Sequence, residues 1–254
     1  MPRERKVVVE SLPDEATRLA AELCKTIICE SVAQRGRAYV ALSGGITPRA
    51  TYQLLAKTAT TGAVPWSQVE VFFGDERDVP HDDVDSNFRM VQQTLLDYLP
   101  ITPSQVHPMP ADAEDLDRAA AAYEQTVRKI VPARADGRPC FDLILLGMGA
   151  EGHTASMFPC TPEALEEKTR LVVAHFVPVL GRRRMTFTFP LINAARNVIV
   201  LVTGDDKADV AATILDGDEQ AKSKLPAARI APDDGLCTLV LDAAAARRSS
   251  FRPA

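Results

Sequence analysis

Four stretches of the chain gather glycine, carboxylate, histidine and cationic side chains, and each comes directly after an apolar run. Ser43-Gly44-Gly45 follows Ala38-Tyr-Val-Ala-Leu42. Gly74-Asp75-Glu76-Arg77 follows Val69-Glu-Val-Phe-Phe73. Gly147-Met-Gly149 with Glu151-Gly-His153-Thr154 follows residues 141–146, and Thr203-Gly-Asp-Asp-Lys207 follows residues 197–202. A glycine turn ahead of a helix can aim backbone N–H groups and the positive helix end at a phosphate. Ser43-Gly44-Gly45 alone fits such a site and a plain strand–helix turn about equally; it is neither a Walker loop nor a GxGxxG fingerprint. Asp75, Glu76 and Arg77 fit either a surface ion-pair cluster or part of a site. His153, on a glycine-rich strand end and without metal-ligand spacing, suits proton transfer. Lys207 opens a predicted helix, where the dipole disfavours a cation and a bound anion would offset that. Arg182-Arg183-Arg184 reads as a solvated charge run, and His81, His107 and His175 have no comparable setting. Together these residues imply a small anionic substrate and a histidine base.

The elements that must position them alternate. Residues 6–9 read as a strand, and Ser11-Leu-Pro-Asp14 as a helix start with a capping box and Pro13 in the first turn. Ala16, Leu19, Ala20, Leu23, Ile27 and Val32 then form one apolar face up to Gly36. Residues 38–42, 69–73, 141–146 and 197–202 read as strands covered on both faces. Residues 171–176 and 238–241 read as further strands, and 185–189 as an edge or half-exposed one. A helix opens with Thr47 as cap and Pro48 in first position. Others are predicted over 86–99, with Phe88, Leu95, Leu96 and Leu99 inward, over 112–131 and over 205–215. Residues 100–139, rich in proline and polar side chains, are expected to form a boundary or a lid. Strands alternating with helices predict a mostly parallel α/β sheet with helices on both faces. In such a sheet the strand carboxyl ends line the ligand crevice, which gathers the four stretches into one site.

Composition bounds the alternatives. The 254 residues are 46% hydrophobic and 25% charged, ordinary globular usage. A net charge of −5 argues against a nucleic-acid partner while leaving room for a local anion site. The longest apolar runs are about five residues against the ~20 of a membrane helix, and no signal peptide is visible. The expectation is a cytoplasmic protein, monomer or homodimer, that meets neither nucleic acid nor membrane. Five scattered cysteines with no CxxC pair imply neither a disulfide framework nor a zinc cluster.

Leu42-Ser-Gly-Gly-Ile-Thr-Pro48, Gly74-Asp-Glu-Arg-Asp-Val-Pro80 with Ser86-Asn87, and residues 141–159 through Gly152-His-Thr-Ala-Ser-Met-Phe-Pro159 resemble the 6-phosphogluconolactonase family. So do Arg184-Met-Thr-Phe-Thr, Thr203-Gly-Asp-Asp-Lys207, Leu225-Pro-Ala-Ala228 and Leu241-Asp-Ala-Ala244, in family order over nearly the whole chain. The resemblance implies a Rossmann-like α/β core, like that of the glucosamine-6-phosphate isomerase group, with a smaller second lobe. We expect a single domain over residues 1–254, with a small lobe inserted in its C-terminal half. The implied activity is hydrolysis of 6-phospho-D-glucono-1,5-lactone in the oxidative pentose phosphate pathway, without metal or organic cofactor. On that reading Ser43, Gly44, Gly45, Lys207 and Arg184 bind the phosphate, and His153 is the general base. Arg77 would meet developing oxyanion charge or the product carboxylate, and Asp75 or Glu151 would orient His153 or the sugar hydroxyls. The family usually carries aspartate where this chain has Glu151. Two rivals share much of this pattern: a glucosamine-6-phosphate deaminase or aldose–ketose isomerase, whose stretch after Gly-His differs, and a phosphosugar-binding regulator without chemistry.

Overall fold

Runs that are apolar without alternation can be satisfied only where both faces of a strand are covered. In the computed structural model, which describes residues 4–251, they become the inner strands of a seven-stranded sheet. The strands are β1 (Glu4–Glu10), β2 (Ala38–Leu42), β3 (Val69–Phe73), β4 (Asp75–Arg77), β5 (Val106–His107), β6 (Leu143–Gly147), β7 (Val172–Val177), β8 (Arg182–Phe187), β9 (Asn197–Val202) and β10 (Leu236–Asp242). The large sheet has the order β1-β10-β9-β6-β2-β3-β5, and every pairing in it is parallel. A second, antiparallel sheet has the order β4-β8-β7. Strand order reverses between β2 and β6: the chain leaves β2 towards β3 and leaves β6 towards β9. That reversal is where an open α/β sheet splays its carboxyl ends into a crevice.

The longer helices are α1 (Pro13–Arg35), α2 (Ile46–Ala56), α3 (Asn87–Thr94), α4 (Leu116–Ile130) and α5 (Ala208–Asp216). The inward stripe of α1 is Ala16, Ala20, Cys24 and Ile28, all buried, whereas the predicted Leu19, Leu23, Ile27 and Val32 flank it half-buried. Small residues at i, i+4 let the helix approach the sheet, and the larger side chains fill the edges of that contact. The cap of α1 is Leu12 rather than Ser11, its N–H bonded to Glu15 Oε2 at 3.1 Å. Helix α2 begins two residues earlier than predicted, with Gly45 as cap and Pro48 in its third position. Proline fits there because the third N–H of a helix has no intrahelical partner. The predicted helix over 86–99 ends at Thr94, where Leu95 leaves helical geometry at φ −136° and turns its side chain into the core.

Two other expectations fail. Residues 182–187 form the central strand of the small sheet, not an edge, because β4 and β7 pair with its two sides. Residues 100–139 make neither a boundary nor a lid. Met109, Leu116, Ala120, Tyr123 and Val127 belong to the core, and Tyr123 Oη spans the strands by accepting from Phe73 N and donating to His107 O. Truncating a core leucine such as Leu145 would cost ~2–5 kcal/mol, so this packing holds the strand ends in place. Among the described residues no helix is long and apolar enough to cross a membrane. All five cysteines are free thiols.

His175 on β7 is 4% exposed, and neither ring nitrogen has a hydrogen-bond partner. Burial holds its pKa below the ordinary 6.5. The unfolded chain therefore binds a proton that the folded chain resists, and stability falls as pH drops below about 6.5. Substituting His175→Leu removes that contribution. Urea unfolding of both proteins between pH ~7 and ~5 should show a shallower acid loss in the variant; parallel losses would refute the assignment.

Candidate active site

The cleft at the carboxyl ends of β2, β3, β6 and β9 has a volume of about 650 Å³. Ser43, Gly44, Gly45, Asp75, Arg77, Glu151, His153, Arg184 and Lys207 all line it. The structure thus brings together every site residue read from the sequence.

Its first wall is the turn after β2. Tyr52 Oη, fully buried, accepts from Ser43 N at 3.0 Å and donates to Ser43 O at 2.7 Å, fixing the turn from below. Gly45 then takes φ +106°, a conformation that L side chains rarely adopt, and α2 starts with its free N–H groups at the cleft. Thr47 Oγ1 lies 3.1 Å from Thr203 Oγ1, tying this turn to the loop after β9. In that loop Gly204 N donates to both oxygens of Asp242, and Lys207 pairs with Asp206 just before α5. The charge at a helix start is therefore offset in part by its own neighbour.

The loop after β6 carries the histidine. Gly149 N donates to His153 O at 2.9 Å, and Thr154 Oγ1 donates to Gly147 O at 2.9 Å, which folds residues 147–154 into a closed turn. His153 Nδ1 lies 2.9 Å from Glu151 Oε1, and the ring stacks on Phe158 with centroids 4.1 Å apart. A carboxylate only accepts, so Nδ1 carries a proton, and in the neutral imidazole the lone pair then lies on Nε2. A Cβ on Gly149 would fall 2.1 Å from His153 Nδ1, so this pairing requires glycine there. Ala155, beside it on the cleft wall, has φ +48° and is the single non-glycine residue with positive φ among the described residues. Such backbone costs on the order of 1–3 kcal/mol and persists where the surroundings over-determine it.

Of the two carboxylates the sequence leaves open as a partner for His153, Glu151 makes the contact. Asp75 instead accepts from Ser156 Oγ at 2.7 Å and from Asn87 Nδ2 at 3.3 Å. Glu76 does not face the cleft. It is fully buried and accepts from Arg77 N at 2.8 Å, Ser86 Oγ at 3.1 Å, Asn87 N at 2.7 Å and Phe88 N at 2.8 Å. Burial pushes its carboxyl pKa up, while the N–H donors pull it back. Of the arginine triplet, Arg182 pairs with Asp78 and Asp85, and Arg183 with Asp117. Arg184 lines the cleft, directly across the β4–β8 ladder from Arg77. Its Nη1 is buried without a partner, and burial, then the charge of Arg77, lowers its pKa. Two adjacent guanidinium groups, one incompletely paired, make an anion seat. Sequence reasoning assigned no role to Asn87, Ser156 or Phe158. The partner of Asn87 and Ser156 is Asp75, on another segment, so local spacing gives no signal for those two; Phe158 stacks on His153 within one loop, but an apolar ring carries no chemical signal of its own.

Fold and site together define a class: an α/β protein whose switch-point crevice holds a histidine–carboxylate pair facing a cationic wall. Residues 11–239 match the model of the family described as glucosamine-6-phosphate isomerases/6-phosphogluconolactonase. The chain belongs to that family. It is 42% identical over 215 residues to a 6-phosphogluconolactonase of Synechocystis, covering 85% of this chain and 86% of that one. It is 38% identical over 244 residues to the 6-phosphogluconolactonase of Mycobacterium tuberculosis, covering 93% and 97%. The solved 6-phosphogluconolactonase from Trypanosoma cruzi superposes with a TM-score of 0.83 at 30% identity, covering 99% of each chain. A monomeric glucosamine-6-phosphate deaminase shares the fold, with a TM-score of 0.78 at 22% identity over 96% of this chain and 99% of that one.

The carboxylate of Glu76 joins β4 to the start of α3 through three contacts, to Ser86 Oγ, Asn87 N and Phe88 N. Glu76→Gln places an N–H₂ group against backbone donors and should cost about 2 kcal/mol or more of stability, the range for bonds to a charged group. A urea midpoint equal to that of the unsubstituted protein would show that the buried carboxylate is not needed.

Proposed function

We propose that this chain hydrolyses 6-phospho-D-glucono-1,5-lactone to 6-phospho-D-gluconate. The observation that carries the reading is the His153–Glu151 pair: the carboxylate holds Nδ1, which leaves Nε2 as the basic nitrogen of the neutral ring, in a cleft with three cationic side chains on its walls. The relatives named 6-phosphogluconolactonase support the same choice of substrate.

The α2 N–H groups at the Ser43–Gly45 turn, with Lys207 and Arg184, bind the phosphate by charge-assisted bonds. His153 Nε2 takes a proton from water as its oxygen attacks the lactone carbonyl C1. Glu151, on Nδ1, stabilises the imidazolium that results. Arg77 meets the negative charge developing on the carbonyl oxygen. The tetrahedral intermediate collapses with cleavage of the bond from C1 to the ring oxygen, and His153 returns its proton to that oxygen. Lactones open readily unaided, so a base and fixed geometry supplying a few kcal/mol suffice.

The direct test is proton release from freshly generated lactone, corrected for spontaneous opening, with glucosamine 6-phosphate as the control substrate. We expect turnover of the first and none of the second; ammonia from the second would assign the deaminase reaction instead.

His153→Gln keeps hydrogen-bonding capacity and the stack on Phe158 in part, but removes proton transfer. It should lower kcat by ~10²–10⁴ and leave KM within a few-fold. His81, bonded to Met109 O, and His107, bonded to Glu70, serve as controls whose Gln variants stay near full activity. If His153→Gln keeps most of its turnover, the base is another group.

A further inference from the structure

Two buried oxygens at the cleft wall have no hydrogen-bond partner: Ser43 Oγ and Asn87 Oδ1. Their residues are 3% and 1% exposed, and both line the cleft. Leaving a buried polar atom unpaired costs as much as a lost hydrogen bond, so such atoms call for a partner that arrives later.

The orientation of the Asn87 amide is fixed by its other half. Nδ2 donates to Asp75 O at 2.9 Å and to Asp75 Oδ1 at 3.3 Å. Both are acceptors, so exchanging the amide atoms would set oxygen against oxygen. Asp75 is held in turn by Ser156 Oγ on Oδ2, and the backbone of Asn87 by Glu76. The chain of hydrogen bonds therefore ends on an oxygen that can only accept. Anything seated on it must donate, which excludes a phosphate dianion, a carboxylate and a lactone carbonyl. A sugar hydroxyl qualifies, and it can accept from Ser43 Oγ as well as donate to Asn87.

Gly44, next to Ser43 in the chain, abuts Asn87. A Cβ at that position would lie 1.7 Å from Asn87 Oδ1, so any other residue would cover the oxygen. Neither oxygen is open to solvent, and the adjoining Gly44 and Gly45 carry no side chain that would stand in a ligand's way.

We propose that Asn87 and Ser43 form a seat for one ring hydroxyl of the sugar lactone and so set which phosphosugar lactones are accepted. The proposal rests on the lactonase reading above. Asp75 and Ser156 act here as positioning residues for Asn87.

The test is a cycle between residue and substrate. Lactones lacking the hydroxyl at C2, C3 or C4, and their fluoro counterparts, are assayed with the unsubstituted enzyme, Asn87→Ala and Ser43→Ala. For the unsubstituted enzyme, one deoxy lactone should lose tenfold or more in kcat/KM, with its fluoro counterpart equally poor because fluorine cannot donate. That loss should shrink to within about threefold in Asn87→Ala and in Ser43→Ala. Equal, additive losses in both variants would overturn the seat. Should Asn87→Ala not fold, the Ser43→Ala arm decides alone. Absence of turnover of the parent lactone by the unsubstituted enzyme would instead refute the lactonase reading. In that case binding of 6-phosphogluconate and its deoxy forms to the same proteins, read by calorimetry, still decides the seat.

Discussion

The site depends on a carboxylate that never touches it. Glu76, in the middle of β4, is buried and satisfied by the backbone N–H groups of Arg77, Asn87 and Phe88 and the hydroxyl of Ser86. A carboxylate buried without partners would be protonated or expelled. Here the start of α3 supplies the donors, and the positive end of that helix adds to them. Because strand residues alternate, anchoring Glu76 inward turns its neighbours Asp75 and Arg77 the other way, towards the cleft. The same contact brings Asn87 against Asp75. One interior carboxylate thus aligns two segments on which three lining residues, Asp75, Arg77 and Asn87, depend.

The second constraint is the junction of the two sheets. Gly74 donates its N–H to Leu42 O at the end of β2, and its carbonyl accepts from Phe187 N on β8, both at 2.8 Å. The residue between β3 and β4 therefore belongs to both sheets. From it the small sheet rises beside the crevice and presents Arg77 and Arg184 in register. Burial first, and then the repulsion of Arg77 across the ladder, lowers the pKa of Arg184. The pairing is unfavourable in itself and becomes favourable when an anion lies between the two.

Much of this was legible because the rule that carries it is local. A buried apolar run followed by a polar, glycine-rich turn is visible within ten residues, and the parallel sheet makes all such turns neighbours. Ser43, His153 and Lys207 were found that way. Only the family resemblance singled out Arg184; which arginine of 182–184 faces the cleft was not legible from local spacing, since it depends on strand phase and on acids at positions 78, 85 and 117. Nor was the central place of β8, whose partner β4 lies about a hundred residues earlier. The inner stripe of α1 was legible in part: Ala16 and Ala20 were read into it, but hydrophobicity ranks leucine above alanine, whereas close approach to a sheet selects alanine. Asn87 escaped because its meaning comes from Gly44 and Asp75, both distant in sequence.

These features share a physical character. The left-handed Ala155, the unpaired Nη1 of Arg184, the unpaired oxygens of Ser43 and Asn87, and the two guanidinium groups side by side each raise the free energy of the folded chain. None is placed where the core would benefit, and all border one cleft. A sequence selected for stability alone would replace them with glycine, apolar or oppositely charged groups. Local rules broken together, around one crevice, against a background that obeys them elsewhere, mark where binding energy is recovered. Glu76, Tyr52 and Gly74 hold the backbone rigid enough for those costs to persist. The cleft is therefore pre-formed by its surroundings, and a substrate that satisfies its unpaired groups gains affinity without having to order them.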